Sequence, residues 1–195
     1  MKHVHVETNF IVDLLRPFAT RAALALHARH GQDITLHIPW CAISEARWTL
    51  PEVINEDLAF PDLAGRFLRN QRMLSKGQAS SVKEFIDLAR KVRVDTTFSY
   101  PDAIANFAQS VTVIPPSQQA VDETLSIRRA KRLKPFDEMV LGSVLSNAKA
   151  LSDTGERELY FCNRNTKDFM PTAGNGLDAE YSKVGLTYLG DFKVP

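Results

Sequence analysis

The sequence predicts a three-layer α/β/α protein with a central, mainly parallel sheet, and three observations predict it. Short runs rich in β-branched residues alternate along the chain with longer stretches of three- and four-residue apolar spacing. The clear strand at Val111–Ile114 is stopped by Pro115 and Pro116 before the next helical stretch. Both extremities of the 195-residue chain carry strand-like runs, so the alternation extends from end to end. Alternation of this kind favours a parallel sheet covered by helices on both faces.

Each element follows from local pattern. His3 to Val6 reads as a strand, and Glu7, Thr8 and Asn9 lead into a helical pattern of Phe10, Ile11, Leu14 and Leu15. Pro17 breaks it, and a second helix is expected from Phe18 to Arg29, with Gly31 as its stop. Asp33 to Ile43 reads as a buried strand, and Ser44 as the N-cap of a helix that begins with Glu45, Ala46, Arg47 and Trp48. From about Pro51 to Ser99 the chain reads as a helical insertion, with a loop at Lys76–Ser81. A helix over Pro101–Gln109, a strand over Val111–Ile114 stopped by Pro115 and Pro116, and a helix over Ser117–Arg132 follow. A loop at Leu133–Phe136 then precedes a helix over Asp137–Lys149. The chain closes with a strand at Glu158–Cys162, a polar loop and a last strand at Val184–Leu189. There is no internal repeat or Pro/Gly/Ser-rich linker, so residues 1–195 are expected to form one domain.

Composition excludes several classes. The apolar fraction of 44% and charged fraction of 24% are those of an ordinary soluble globular protein. Lys plus Arg (24) nearly balance Asp plus Glu (23), so any nucleic-acid partner needs a local patch rather than a basic molecule. No apolar run approaches the roughly 20 residues that cross a bilayer, and the polar start is no signal peptide. No membrane partner is therefore expected, and the expected location is cytoplasmic. Cys41 and Cys162 sit in apolar runs without zinc spacing and are expected to be buried, reduced thiols.

The residues that carry chemistry stand after the strands. Glu7 ends the first, Glu45 lies just past the second, Asp137 opens a helix, and Asp168 closes the loop Asn163–Phe169. Ligands bind at the carboxyl edge of open α/β sheets. Four carboxylates meeting there repel one another unless a cation sits among them. Hard oxygen donors of this kind suit Mg²⁺ or Mn²⁺, ions that serve phosphodiester hydrolysis.

At these residues the chain resembles the PIN-domain nucleases, including the VapC-type toxins of toxin–antitoxin pairs. Four segments carry the resemblance, about a fifth of the chain: Val6–Asp13, Ile43–Ala46, Phe136–Ser143 and Phe161–Phe169. It implies a PIN-like fold and a metal-dependent endoribonuclease that cuts RNA phosphodiester bonds. In that reading Glu7, Glu45, Asp137 and Asp168 hold Mg²⁺ or Mn²⁺, with Asn9 and Asn165 in support. RNA is the substrate, and an antitoxin protein and a homodimer are the protein partners that such a chain admits. Two departures stand out. The first acid is Glu where the family has Asp, and Asn163 replaces the hydroxyl residue usual before the last loop. The alternatives are a PIN-like RNA-binding or protein-interaction module that no longer cuts, and a structure-specific DNase on a related fold.

Other features divide between function and structure. Arg128, Arg129, Lys131, Arg132 and Lys134 place five positive charges in seven residues before Asp137. They suit RNA phosphates, or equally a solvated helix face near its C-terminus. His3 and His5 share one strand face and are expected to be structural. Trp40 and Trp48 flank Glu45 and are expected in the core rather than as base-stacking platforms, and Glu138 is expected to face solvent rather than to serve as an extra ligand. Gly174–Gly176 is a turn signal only.

Overall fold

In a computed structural model, residues 1–16, 19–70, 80–81, 83–84, 86–87, 100–127, 133–172 and 176–195 are described, without the side chains of 57–58 and 60–70. The strands are β1 (Lys2–His5), β2 (Ile34–Pro39), β3 (Thr112–Ile114), β4 (Leu159–Cys162) and β5 (Leu186–Leu189). The helices are α1 (Thr8–Leu15), α2 (Arg21–Ala28), α3 (Trp40–Asn70), α4 (Tyr100–Ser110), α5 (Gln118–Ile127), α6 (Pro135–Asp153), α7 (Thr166–Phe169) and α8 (Leu177–Lys183). The strands form one five-stranded sheet in the order β3-β2-β1-β4-β5, with every pairing parallel. Helices flank it. This is the α/β architecture the sequence predicts, and it is consistent with three layers.

The order explains where a site can form. From β1 the chain steps outward through β2 to β3, then crosses back to lay β4 on the other side of β1. The direction of winding reverses between β1 and β4, and such a switch point leaves a crevice at the carboxyl ends of the two strands. The centre of the sheet is buried, as a parallel sheet requires. Val4, Leu36, Ile38 and Phe161 in the strands, Phe10 and Ile11 in α1, Ala42, Ala46 and Leu50 in α3, and Leu141 and Val144 in α6 share one core and are completely covered.

Several boundaries differ from expectation, each for a local reason. The second strand stops at Pro39, which has no N–H to continue a ladder, and Trp40 already belongs to α3. Ala42, Ala46 and Leu50 are buried at four-residue spacing, so Ser44 lies inside a helix rather than at its cap. That helix continues through Pro51 and Pro61 to Asn70, absorbing the start of the expected insertion. Residues 71–79 and most of 82–99, including the expected loop at Lys76–Ser81 up to position 79, lie outside the described residues, as do Pro17 and Phe18. Thr20 caps α2 by accepting from the Ala23 N–H at 3.3 Å, so the helix starts after it. The polar stretch before β5 contains the short helices α7 and α8. Among the described residues no helix is long and apolar enough to cross a membrane.

Trp40 and Trp48 are not core residues. They are 38% and 79% exposed, because the buried stripe of α3 runs through Ala42, Ala46 and Leu50. Glu138 is buried rather than facing solvent, since α6 turns it inward between exposed Phe136 and Met139. Both cysteines are buried and free, as expected, and burial pushes their thiols up to about 11 (Cys41) and about 12 (Cys162).

Helices α5 and α6 pack tightly at Gly142. A Cβ there would stand 2.1 Å from Thr124 Oγ1 and 2.8 Å from the Ala120 carbonyl oxygen and the Thr124 nitrogen. The hydroxyl could rotate away, but the backbone atoms can move only if the helices part. Overpacking of this kind costs about 1–3 kcal/mol. Gly142→Ala is therefore expected to lower the melting temperature by roughly 5 °C, and an unchanged melting curve would show that the helices are not in close contact.

Candidate active site

Glu7 follows β1 directly and serves as the N-cap of α1. Its backbone is extended, and its Oε2 accepts the Asn9 N–H at 3.1 Å. Asn9 adds a side-chain hydrogen bond to the same carboxylate. Glutamate is not a favoured cap; here the longer side chain lets one oxygen cap the helix while the other points elsewhere. That other oxygen, Oε1, is buried and has no hydrogen-bond partner among the described residues. Glu7 as a whole is only 6% exposed.

Burial pushes the Glu7 carboxyl up from 4.5 to about 8, against the lowering effect of the Asn9 hydrogen bonds. Glu45 and Asp137 raise it further through their negative charges. Three carboxylates from the ends of three separate segments are thus within electrostatic reach of one another. Glu45 lies in the second turn of α3 and is half-buried, with its Oε2 accepting from Thr8 Oγ1. Asp137 stands half-buried in the first turn of α6, where the helix dipole favours an acid. Pro135 begins that helix and Lys134 precedes it as a cap without a side-chain bond.

The last segment approaches from β4. His5 pairs with Phe161, so continuing the register sets Asn163 level with Glu7 across the switch point. Asn163 is completely buried. Its Oδ1 accepts the Asn165 N–H at 2.6 Å, and its Nδ2 has no partner among the described residues. Tyr188 on β5 donates to the Asn163 carbonyl at 2.9 Å and, besides burial, feels the Glu7 charge. Asn165 Nδ2 donates to Asp168 Oδ2 at 2.9 Å. Arg164, in the same loop, pairs with Asp13 of α1 and ties the loop to that helix.

Of the acids singled out in the sequence, Glu7, Glu45 and Asp137 are brought together, while Asp168 makes its hydrogen bond to Asn165. Among the described residues no group of three or more His, Cys, Asp or Glu side chains is placed to hold a metal ion; Glu45 accepts from Thr8 and Asp168 from Asn165. Lys134 is exposed; Arg128, Arg129, Lys131 and Arg132 lie outside the described residues. Two participants were not legible as such. Thr8 reads only as a small polar residue after Glu7, and Asn163 only as a substitution. The signal for Asn163 was the strand register, which no sequence pattern supplies.

Compared with known proteins, the chain matches no family model and no curated protein sequence.

Proposed function

We propose that the crevice between β1 and β4 is the active site of a metal-dependent ribonuclease with a PIN-like fold. One observation carries the reading. A carboxyl with a buried oxygen that lacks a partner among the described residues, Glu7 Oε1, stands at the sheet's switch point with two further acids raising its pKa. A buried acid in that setting is unfavourable unless it holds a proton or meets a cation.

The donor types, carboxylate and amide oxygens, suit a hard divalent ion, although among the described residues they are not drawn together around one. Glu7, Glu45 and Asp137 would hold Mg²⁺ or Mn²⁺, and Asp168 with Asn165 would complete the rim. When bound, such an ion offsets charge building on a phosphate and acidifies water beside it. The chain's own contributions are distinct. Glu7 holds a proton near neutral pH until a cation arrives. Thr8 and Asn9 orient Glu45 and Glu7, and the Asn163 amide presents an N–H to an oxygen acceptor entering the crevice. The toxin role, an antitoxin partner and a homodimer rest on the resemblance to VapC-type proteins alone.

The test is cleavage of labelled structured RNA in EDTA, Mg²⁺ or Mn²⁺, comparing wild type with Asp137→Asn. The expected result is metal-dependent cutting that falls at least about a hundredfold in the variant. A second reading, a module that binds RNA without cutting, is favoured by the bond that holds Glu45 to Thr8. RNA binding with no cleavage in any metal would select it. Preferential cutting of flapped DNA over single-stranded RNA would select the DNase instead.

A further inference from the structure

Trp48 is the most exposed large apolar side chain among the described residues, at 79%. An indole left in water forgoes a large burial gain, and this one is not isolated. It borders a cleft of about 480 Å³ between α3 and α4, walled by Arg47, Trp48 and Pro51 on one side and by Tyr100 and Pro101 on the other. Ile104, almost fully buried, lies at its apolar base. The volume is in the range of small-molecule sites, roughly 300–1,000 Å³.

Position gives the cleft meaning. Glu45 and Trp48 are three residues apart on α3, hence neighbours on the helix surface about 5–6 Å apart at Cβ. The cleft therefore opens one helical turn from the acidic crevice. Its walls combine flat aromatic and proline faces with one exposed guanidinium. A flexible single strand is held by that pairing: bases stack on aromatic rings while a cation meets the phosphate. A second protein would also use Trp, Tyr and Arg side chains, but a docked helix needs a groove long enough for anchors spread from i to i+7, whereas this cleft of about 480 Å³ has the size of a small-molecule site.

We propose that this cleft is a subsite for an unpaired base of single-stranded RNA, with Trp48 stacking on the base and Arg47 meeting the adjoining phosphate. Its role in feeding the crevice rests on the nuclease reading; its ability to bind RNA does not. The subsite selects unpaired RNA, because a base inside a duplex cannot present its face.

The test uses the full chain in EDTA, so that binding is read without cleavage. A fluorescein-labelled oligouridylate is titrated by anisotropy, and indole quenching is followed in a Trp40→Phe background where Trp48 is the remaining tryptophan. Trp48→Ala is expected to weaken binding about tenfold, from the stacking of one base, with Trp48→Phe recovering most of it. Arg47→Ala is expected to reduce the salt dependence by about 0.7 in the logarithmic slope, the share of one phosphate contact on a single strand. An RNA duplex of equal length should quench Trp48 little. Equal affinities for wild type and Trp48→Ala, or a wild type that binds no oligouridylate, would overturn the proposal. The two readings fail separately. Metal-dependent cleavage with no effect of Trp48→Ala on binding removes the subsite and keeps the nuclease. Binding through Trp48 with no cleavage in any metal keeps the subsite and removes the nuclease.

Discussion

Glu7→Gln is expected to stabilise the metal-free protein at pH 8 by several kcal/mol while removing metal-dependent cleavage. The stability half follows from the carboxyl's environment. In the unfolded chain it ionises near 4.5; in the folded protein it holds its proton until about pH 8, chiefly because it is buried. Below pH 4.5 both states are protonated and burial carries no pH-dependent penalty. Between 4.5 and 8 the unfolded chain releases the proton and the folded chain does not, so stability falls as pH rises. At 1.36 kcal/mol per unit the full loss is roughly 4–5 kcal/mol, complete above pH 8. Glutamine keeps the shape and an oxygen for the Asn9 N–H and does not ionise. Its advantage in EDTA should therefore be small at pH 5 and reach about 10 °C in melting temperature at pH 8. Mn²⁺ should reverse the ranking, raising the wild-type melting temperature at pH 8 and leaving that of Glu7→Gln unmoved. A Glu7→Gln protein no more stable than wild type at pH 8 in EDTA would falsify the buried-acid account. If Glu7→Gln still cuts RNA, Glu7 is not part of the site.

The same residue shows how far sequence reasoning reaches. That Glu7 ends a strand and opens a helix is legible, because the β-branched run His3–Val6 and the spacing of Phe10, Ile11, Leu14 and Leu15 are local signals. The meeting of Glu7 with Glu45 and Asp137 is foreseeable from the parallel α/β pattern, since every strand of such a sheet ends at the same edge. What lies beyond that range is set by tertiary contact. The N-terminal turn of α3 reads as strand because Cys41, Ala42 and Ile43 are apolar after a β-type run, and only packing of the Ala42–Ala46–Leu50 stripe turns it into helix. Trp48 reads as core by composition, yet that stripe leaves it on the open side. Glu138 reads as a surface acid, and the rotation of α6 carries it inward. The hydrogen bond between Thr8 and Glu45 joins residues on two helices, and nothing in either segment announces it.

Acid is expected to unfold this protein through a stack of histidines beside the site, and the loss should begin below pH 6.5. His5 on β1 is completely buried and His37 on β2 nearly so; their rings stack at 5.2 Å between centroids. His3 also lies against His37, with its Nδ1 2.9 Å from His37 Nε2. Both His5 nitrogens face oxygens, the Tyr160 carbonyl at 3.1 Å and Asn147 Oδ1 at 2.9 Å, which favours a protonated ring. Burial is the larger effect and lowers His5 from 6.5 to about 4. His37 falls to about 3, from burial first and then from the charges His5, His3 and His30 would carry. The neutral forms are thus stabilised by folding. That stability is complete above 6.5, where the unfolded chain is also neutral, and it is lost as pH falls toward 4 and 3 while the unfolded chain takes up protons. By pH 4 each ring accounts for roughly 3 kcal/mol. Glu7 works in the opposite direction over part of this range, so the effect is cleanest in the Glu7→Gln background. There His37→Leu should cost about 1 kcal/mol at pH 7, because Leu removes the hydrogen bond between His3 Nδ1 and His37 Nε2, while His37 Nδ1 has no partner to lose among the described residues. At pH 4.5 the double variant should be more stable than its Glu7→Gln parent by about 2 kcal/mol, read from urea unfolding at both pH values. Parallel loss of stability with and without His37→Leu between pH 7 and 4.5 would place the acid-sensitive group elsewhere.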